Sequence, residues 1–216
     1  ISLQGLGVLV QLMKFVLVVY LVLIIHCTVT YGGALKVLGH VSPRTFFKKF
    51  WPVMAFAFST SSSNATIPLN LDTCEKKLGV PRSISSFTIP LGATVNMDGT
   101  AIMQGVAAVF IAEVFGMPLS LQSQLMVILS ATLASIGTAG VPGAGTVMLS
   151  MVMQQVGLPM EGIALVLAVD RILDMGRTAV NITGDAVGTV IVANSEKDLD
   201  LSVYNSTQVK DNTVAL

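Results

Sequence analysis

Charge is what this sequence has least of. Only 11% of its 216 residues are Asp, Glu, Lys or Arg, against roughly 25% in an ordinary soluble domain. Neither sign is in excess: 12 Lys and Arg balance 12 Asp and Glu, and the formal net charge is zero. A basic footprint for nucleic acid is therefore absent, and no nucleic-acid partner is expected. Cysteine is almost missing. Cys27 and Cys74 lie far apart and support neither a disulfide framework nor a thiolate metal site, so both are expected as free thiols. Histidine is limited to His26 and His40. The chain begins at Ile1 without Met and reads as a fragment of a longer protein. What is abundant is apolar: 53% of the residues are hydrophobic and the mean hydropathy is +0.78. These features together indicate an all-α membrane protein whose partner is the lipid bilayer.

The placement of the charges divides the chain. None falls between Lys14 and Lys36, between Lys49 and Asp72, or between Glu113 and Glu161. A helix crosses the hydrocarbon core with about 20 apolar residues, and residues 1–36 fit one such crossing. Residues 43–80 do not. They contain Pro52, the polar run Ser59 to Asn64, Thr66 and Pro68, and both flanks are basic. Basic flanks favour the cytoplasmic side, so this segment reads as a re-entrant hairpin with its tip at 61–64. Residues 118–158 are too long for one crossing, and four Gly and one Pro interrupt them between Gly137 and Gly145. They read as a second re-entrant hairpin with its tip at 137–145, or as two crossings joined by a glycine-rich loop. Irregular backbone at membrane depth survives only inside protein or along a cavity. Residues 82–115 cross between the hairpins and hold a polar, glycine-containing stretch from Gly92 to Thr100, unwound at 96–100. Residues 160–195 form the last crossing. The polar tail, 196–216, is expected to be cytoplasmic and disordered or weakly structured.

The last crossing carries the strongest chemical signal. At about 100° per residue, Asp170, Asp174, Arg177, Thr178, Asn181 and Asp185 share an arc of about 100°. Ionisable residues inside a membrane are costly and mark substrate or ion paths. Arg177 offers a planar fork of donors suited to a carboxylate, and Asp174, one turn away, can accept from an ammonium group. The two can equally pair with each other at i,i+3 spacing. Asp185, without a cation of its own, calls for a proton or a metal ion. Between Gly92 and Thr100, freed carbonyls with Asp98 can ligate a hard cation. Oxygen donors of this kind suit sodium better than zinc, which prefers His or Cys.

At these residues the chain resembles the C-terminal half of the dicarboxylate/amino acid:cation symporters, the glutamate transporter family. The matching stretches are the Ser-rich tip at 61–64, Asn-Met-Asp-Gly-Thr at 96–100, Ala134 to Gly145, and Asp174-Met-Gly-Arg177-Thr-Ala-Val-Asn181-Ile-Thr-Gly-Asp185. The resemblance implies the transport-domain half of that fold, with three spanning helices and two re-entrant helical hairpins. These correspond to the family's sixth, seventh and eighth helices. It implies a homotrimer in the full-length protein, a static scaffold, and an elevator-type movement of the transport domain in the plasma (inner) membrane.

The resemblance also assigns roles. Arg177 would bind the substrate's side-chain carboxylate and Asp174 its amino group. Thr178, Asn181, Thr100, the main chain of Ser63 and the second tip around Val141 and Gly145 would complete the pocket. Asp185 with the carbonyls of Gly92, Asn96 and Asn181 would form one sodium site. Thr94 with Ser135, Ile136 and Thr138 would form a second. Asp98 and Asn96 would contribute to a third. Neutral amino acid relatives lack Arg at 177, C4-dicarboxylate relatives tend to lack Asp at 174, and some proton-coupled relatives carry Asn at 185. Keeping all three favours sodium-coupled uptake of aspartate or glutamate. The alternative is proton- or sodium-coupled C4-dicarboxylate transport. The one visible departure is Asn64, where the family's Ser-rich tip has another Ser. An intramembrane serine hydrolase would need a base near the Ser-rich tip, and neither His26 nor His40 lies near it in the sequence. A passive channel is the remaining class. His26 is expected to be a packed interior residue.

Overall fold

A computed structural model describes residues 2–206. The described residues form helices and no β-strand. Helix α1 (Ser2–Ile25) continues through a π-helical segment, His26–Tyr31, into α2 (Gly32–Val37). Two antiparallel helices, α3 (Pro43–Thr60) and α4 (Ser63–Lys76), follow as a first hairpin. Helices α5 (Arg82–Val95) and α6 (Asp98–Val114) form one interrupted rod. Helices α7 (Leu121–Ser135) and α8 (Ala144–Gln155) form a second hairpin. A short α9 (Ile163–Leu167) leads to the long α10 (Asp170–Ser195), and α11 (Leu201–Asn205) closes the described chain.

Local chemistry sets the breaks. In the first tip Ser61 takes the left-handed conformation (φ 53°), and the Ser62 hydroxyl caps α4 by accepting from the Ala65 amide. An oxygen-bearing side chain at this position satisfies an otherwise orphaned helix amide. The second tip turns at Gly137 and Gly143, both with φ near +80° (81° and 79°), a region other residues rarely adopt. The α5–α6 rod breaks at Asn96 and Met97, whose ψ values of 80° and 47° lie outside the helical range. The break is confined to these two residues, and the helix has resumed by Asp98.

The polarity is inverted relative to a soluble protein. Leu17 and Leu133 are 65% and 62% exposed, as is much of the surface of α1 and α7. Asp174, Arg177, Asn181 and Asp185 are buried. The rods at Gly7–Val37 and Arg82–Val114 are each long and apolar enough to cross a membrane. Helix α10 lies at the centre, packed against α1 and α3 to α6, and it is buried almost without interruption from Leu173 to Val187. Its charged strip is therefore sealed inside the protein.

Part of the tail that the sequence reads as disordered or weakly structured is ordered. Residues 201–205 form a helix, and Tyr204 is fully buried. The reason is local satisfaction of backbone groups. Lys49 Nζ donates to the carbonyls of Lys77, Val203 and Tyr204 at 2.7–2.8 Å, Tyr204 donates to the Ser42 carbonyl, and the Asp200 amide donates to Gly79. The tail residues 207–216 lie outside the described residues.

Candidate functional site

Both hairpin tips converge on the middle of α10. The Asn64 amide and the Ser62 hydroxyl both donate to the Gly140 carbonyl, at 3.1 and 2.9 Å, so the tips touch each other directly. Gly140 permits this, because a Cβ there would lie 2.7 Å from Asn64 Oδ1. Beneath the tips is a small polar chamber. Ser61, Ser63, Thr100, Val141, Gly145, Asp174, Arg177, Thr178 and Asn181 line it, with Met97 and residues 138–140. Every residue the sequence proposed for substrate is therefore gathered in one place. The chamber volume is ≈ 10 Å³, about that of one water position, because the second tip is seated against α10.

The electrostatics centre on Arg177, which is 2% exposed. Its Nε donates to Asp174 Oδ1 at 2.8 Å, so the i,i+3 pair open in the sequence does form. It does not exhaust either partner. Asp174 Oδ2 accepts from the Gly143 amide at 2.8 Å, and its Oδ1 also accepts from the Thr178 hydroxyl. Arg177 Nη1 has no hydrogen-bond partner among the described residues. Its nearest acid is Asp170 Oδ1 at 3.7 Å, and that oxygen already accepts from the Thr146 hydroxyl. The Ser61 hydroxyl is also buried, with no partner among the described residues. An unpaired, desolvated guanidinium nitrogen is costly and is aimed at Gly145, where a Cβ would come within 2.6 Å of it.

The family profile described as "Sodium:dicarboxylate symporter family" matches residues 1–195. The chain belongs to this family. It is 40% identical over 195 residues to an "Excitatory amino acid transporter" of Caenorhabditis elegans, covering 90% of this chain and 39% of the relative. It is 39% identical over 196 residues to the "Proton/sodium-glutamate symport protein" of Bacillus subtilis (strain 168), covering 91% and 45%. It is 40% identical over 191 residues to "Excitatory amino acid transporter 2" of Homo sapiens, covering 88% and 33%. The chain thus spans less than half the length of these curated relatives. All are named as transporters, which sets the hydrolase reading aside. The serines of the tip act as a turn, a helix cap and a contact with the other hairpin.

In this symporter-family chain the residues proposed for cations fall into adjoining groups. Asn96 Nδ2 donates to Asp185 Oδ1 and to the Asn181 carbonyl, both at 3.0 Å. Gly92 closes the same corner, since a Cβ there would lie 2.6 Å from Asp185 Oδ1. The second group is joined through the backbone: the Gly137 amide donates to the Thr94 carbonyl at 2.7 Å, bringing the break in the rod against the turn that holds Ser135, Ile136 and Thr138. The Thr138 and Ser135 hydroxyls bond within that turn, to Ala134 and Thr132. Asp98 is held differently. Its Oδ2 takes His26 Nε2 at 3.1 Å and the Tyr31 hydroxyl at 3.0 Å. His26, expected as a packed interior residue, is a polar partner of Asp98.

Asn181 fastens the two central helices. Its Oδ1 accepts from the Gly99 amide at 2.7 Å, and its Nδ2 donates to Thr100 Oγ1 and Met97 Sδ at 3.1 Å each. Three residues escaped the sequence reading. Gln104, one turn beyond Thr100, donates to the Gly145 carbonyl at 3.0 Å. Thr146 engages Asp170. Tyr31 engages Asp98. Only Gln104 carried a signal, as a polar residue one helical turn from Thr100 on an otherwise apolar helix.

Proposed function

We propose that this chain is the substrate- and cation-binding half of a secondary active symporter that takes up an acidic amino acid, aspartate or glutamate, with sodium. The observation that carries this is Arg177: a buried guanidinium whose Nη1 has no hydrogen-bond partner among the described residues, in a chamber roofed by two hairpin tips. A substrate carboxylate supplies two acceptor oxygens in the geometry a guanidinium prefers. Asp174 lines the chamber and supplies negative charge for the substrate ammonium. A dicarboxylate without an amino group offers no cation to that carboxylate, which favours an amino acid.

Sodium enters as a second substrate. Asp185, the carbonyls near Gly92, Asn96 and Asn181, and Asp98 are oxygen donors of the type hard cations take. An anion cannot be moved through the membrane interior unaided, and bound cations offset its charge. The Thr94–Gly137 bond supports direct coupling between the cation-binding break and the second tip. An ion that steadies Thr94 also steadies the tip that covers substrate, and by linkage each ligand raises the affinity of the other.

In this reading α1–α2, α5–α6 and α9–α10 span the bilayer, and both hairpins are re-entrant, their tips meeting inside protein where irregular backbone is tolerated. The full-length protein is a homotrimer in the plasma membrane, its transport domain moves as an elevator, and the end of the chain is cytoplasmic. The test is isotopic uptake of aspartate, glutamate and malate by the full-length protein in proteoliposomes. Saturable aspartate or glutamate uptake that stops without a sodium gradient is expected. Malate as the preferred substrate, or non-saturating flux without sodium, overturns the reading.

A further inference from the structure

The π-helical segment His26–Tyr31 interrupts an otherwise regular rod. In an α-helix residues five apart lie about 140° from each other. In the i→i+5 pattern they return to nearly one side. The bulge therefore brings His26 and Tyr31 together, with ring centroids 4.7 Å apart and planes at 72°, and both reach the same oxygen, Asp98 Oδ2. A regular helix would turn one of them away. Thr28 supports the irregularity, since its hydroxyl donates to the carbonyls of Ile24 and Ile25 where the ladder changes step.

Tyr31 sits at a junction. It is buried, and its hydroxyl lies against the backbone of Gly184 on α10. There an added Cβ would collide with both Tyr31 Oη and Asn96 Nδ2. Asn96 in turn bonds Asp185. One phenol thus donates to Asp98 and closes on the same Gly184 backbone as the Asn96 side chain that bonds Asp185. His26 and Tyr31 stand outside the substrate chamber, which neither lines.

We infer that Tyr31, with His26, is a positioning residue for cation binding: the π-bulge fixes the Asp98 carboxylate at the broken helix and thereby sets sodium affinity without touching substrate. This rests on the proposed sodium coupling and assigns it a control element. Groups that orient a metal-binding side chain commonly change metal affinity about tenfold or more when removed.

The test uses the full-length protein in proteoliposomes, with the sodium concentration varied at saturating aspartate and the reverse. Tyr31→Phe keeps the ring and loses the donor. It is expected to raise the sodium half-saturation about tenfold, while the aspartate half-saturation at saturating sodium and the maximal rate stay within about twofold. His26→Gln, which retains a donor, is expected to stay near wild type, and His26→Leu to shift in the same direction as Tyr31→Phe. A sodium curve unchanged in Tyr31→Phe and His26→Leu, with wild type sodium-dependent, overturns this inference alone. A wild type indifferent to sodium overturns the sodium coupling itself. Equal loss of maximal rate in all three variants, with half-saturations unmoved, reduces the bulge to a structural role and also overturns the inference.

Discussion

The backbone amide of Gly143 donates to Asp174 Oδ2 at 2.8 Å, so the turn of the second hairpin is latched directly onto the acid that pairs with Arg177. The second tip and the buried charge pair are one hydrogen bond apart. Any ligand that draws Asp174 or Arg177 into new contacts must act on the seating of this tip.

Arg177 is the first target. Arg177→Ala removes the guanidinium and leaves Asp174 buried with one fewer donor, and disrupting a buried charge pair costs about 2–5 kcal/mol. Acidic substrate affinity is expected to fall at least about thirtyfold, read by calorimetry on the full-length protein. Arg177→Lys keeps charge without the planar fork and should recover only part of the loss. Unchanged aspartate affinity in Arg177→Ala would remove the carboxylate role.

For the cation side, Asp185→Asn retains an oxygen that can accept from Asn96 Nδ2 but removes the negative charge. The sodium half-saturation of uptake is expected to rise about tenfold or more. An unaltered sodium titration counts against Asp185 as an ion ligand.

Gly145 tests the seating of the second tip. An added Cβ would lie 2.6 Å from Arg177 Nη1 and 2.8 Å from Thr100 Cγ2. Relieving such overpacking costs about 1–3 kcal/mol. Gly145→Ala should weaken substrate binding by a corresponding factor. Gly33→Ala, where a Cβ meets nothing within 4 Å, should leave binding as it is.

At the far end, Lys49 ties three carbonyls of the first hairpin's base and the tail. Lys49→Met keeps the stem and removes the donors, and hydrogen bonds to charged groups contribute about 1.5–3 kcal/mol. Amide exchange at residues 201–205 should rise sharply, with smaller change in the exchange of α10. Protection at 201–205 equal to wild type would show the tail is held by other contacts.

The same tail should respond to acid. The Asp200 carboxyl accepts from the Ser202 hydroxyl and the Val203 and Ser202 amides, which hold its pKa below the ordinary 3.8. A lowered folded-state value contributes stability above the unfolded pKa, lost as the pH falls through the folded one. Protection of residues 201–205 is therefore expected to be full above about pH 4 and to decline below it. A decline already complete at pH 5 would assign the loss to another group.

Helical content, the three long segments, both interruptions and the polar strip of α10 follow from composition and spacing. Gaps between charges fix where apolar helices can lie, and a 3.6-residue period places Asp174, Arg177, Asn181 and Asp185 on one side whatever the surroundings. Partnership across the chain does not follow from spacing. No local pattern tells that Gly140 meets Asn64, that Gly143 caps Asp174, or that Asn96 turns to Asp185, because these contacts join residues from 31 to 89 positions apart and depend on how the hairpins pack. The π-bulge was equally hidden: shifting a helical ladder by one residue leaves no signature in residue types, yet it alone lets His26 and Tyr31 share Asp98. The order of residues 201–205 also came from packing, since a short polar helix is stable only once Lys49 and Ser42 satisfy its backbone and Tyr204. The chemistry was written along the chain, and its closure into a chamber was the work of long-range contacts between buried polar groups.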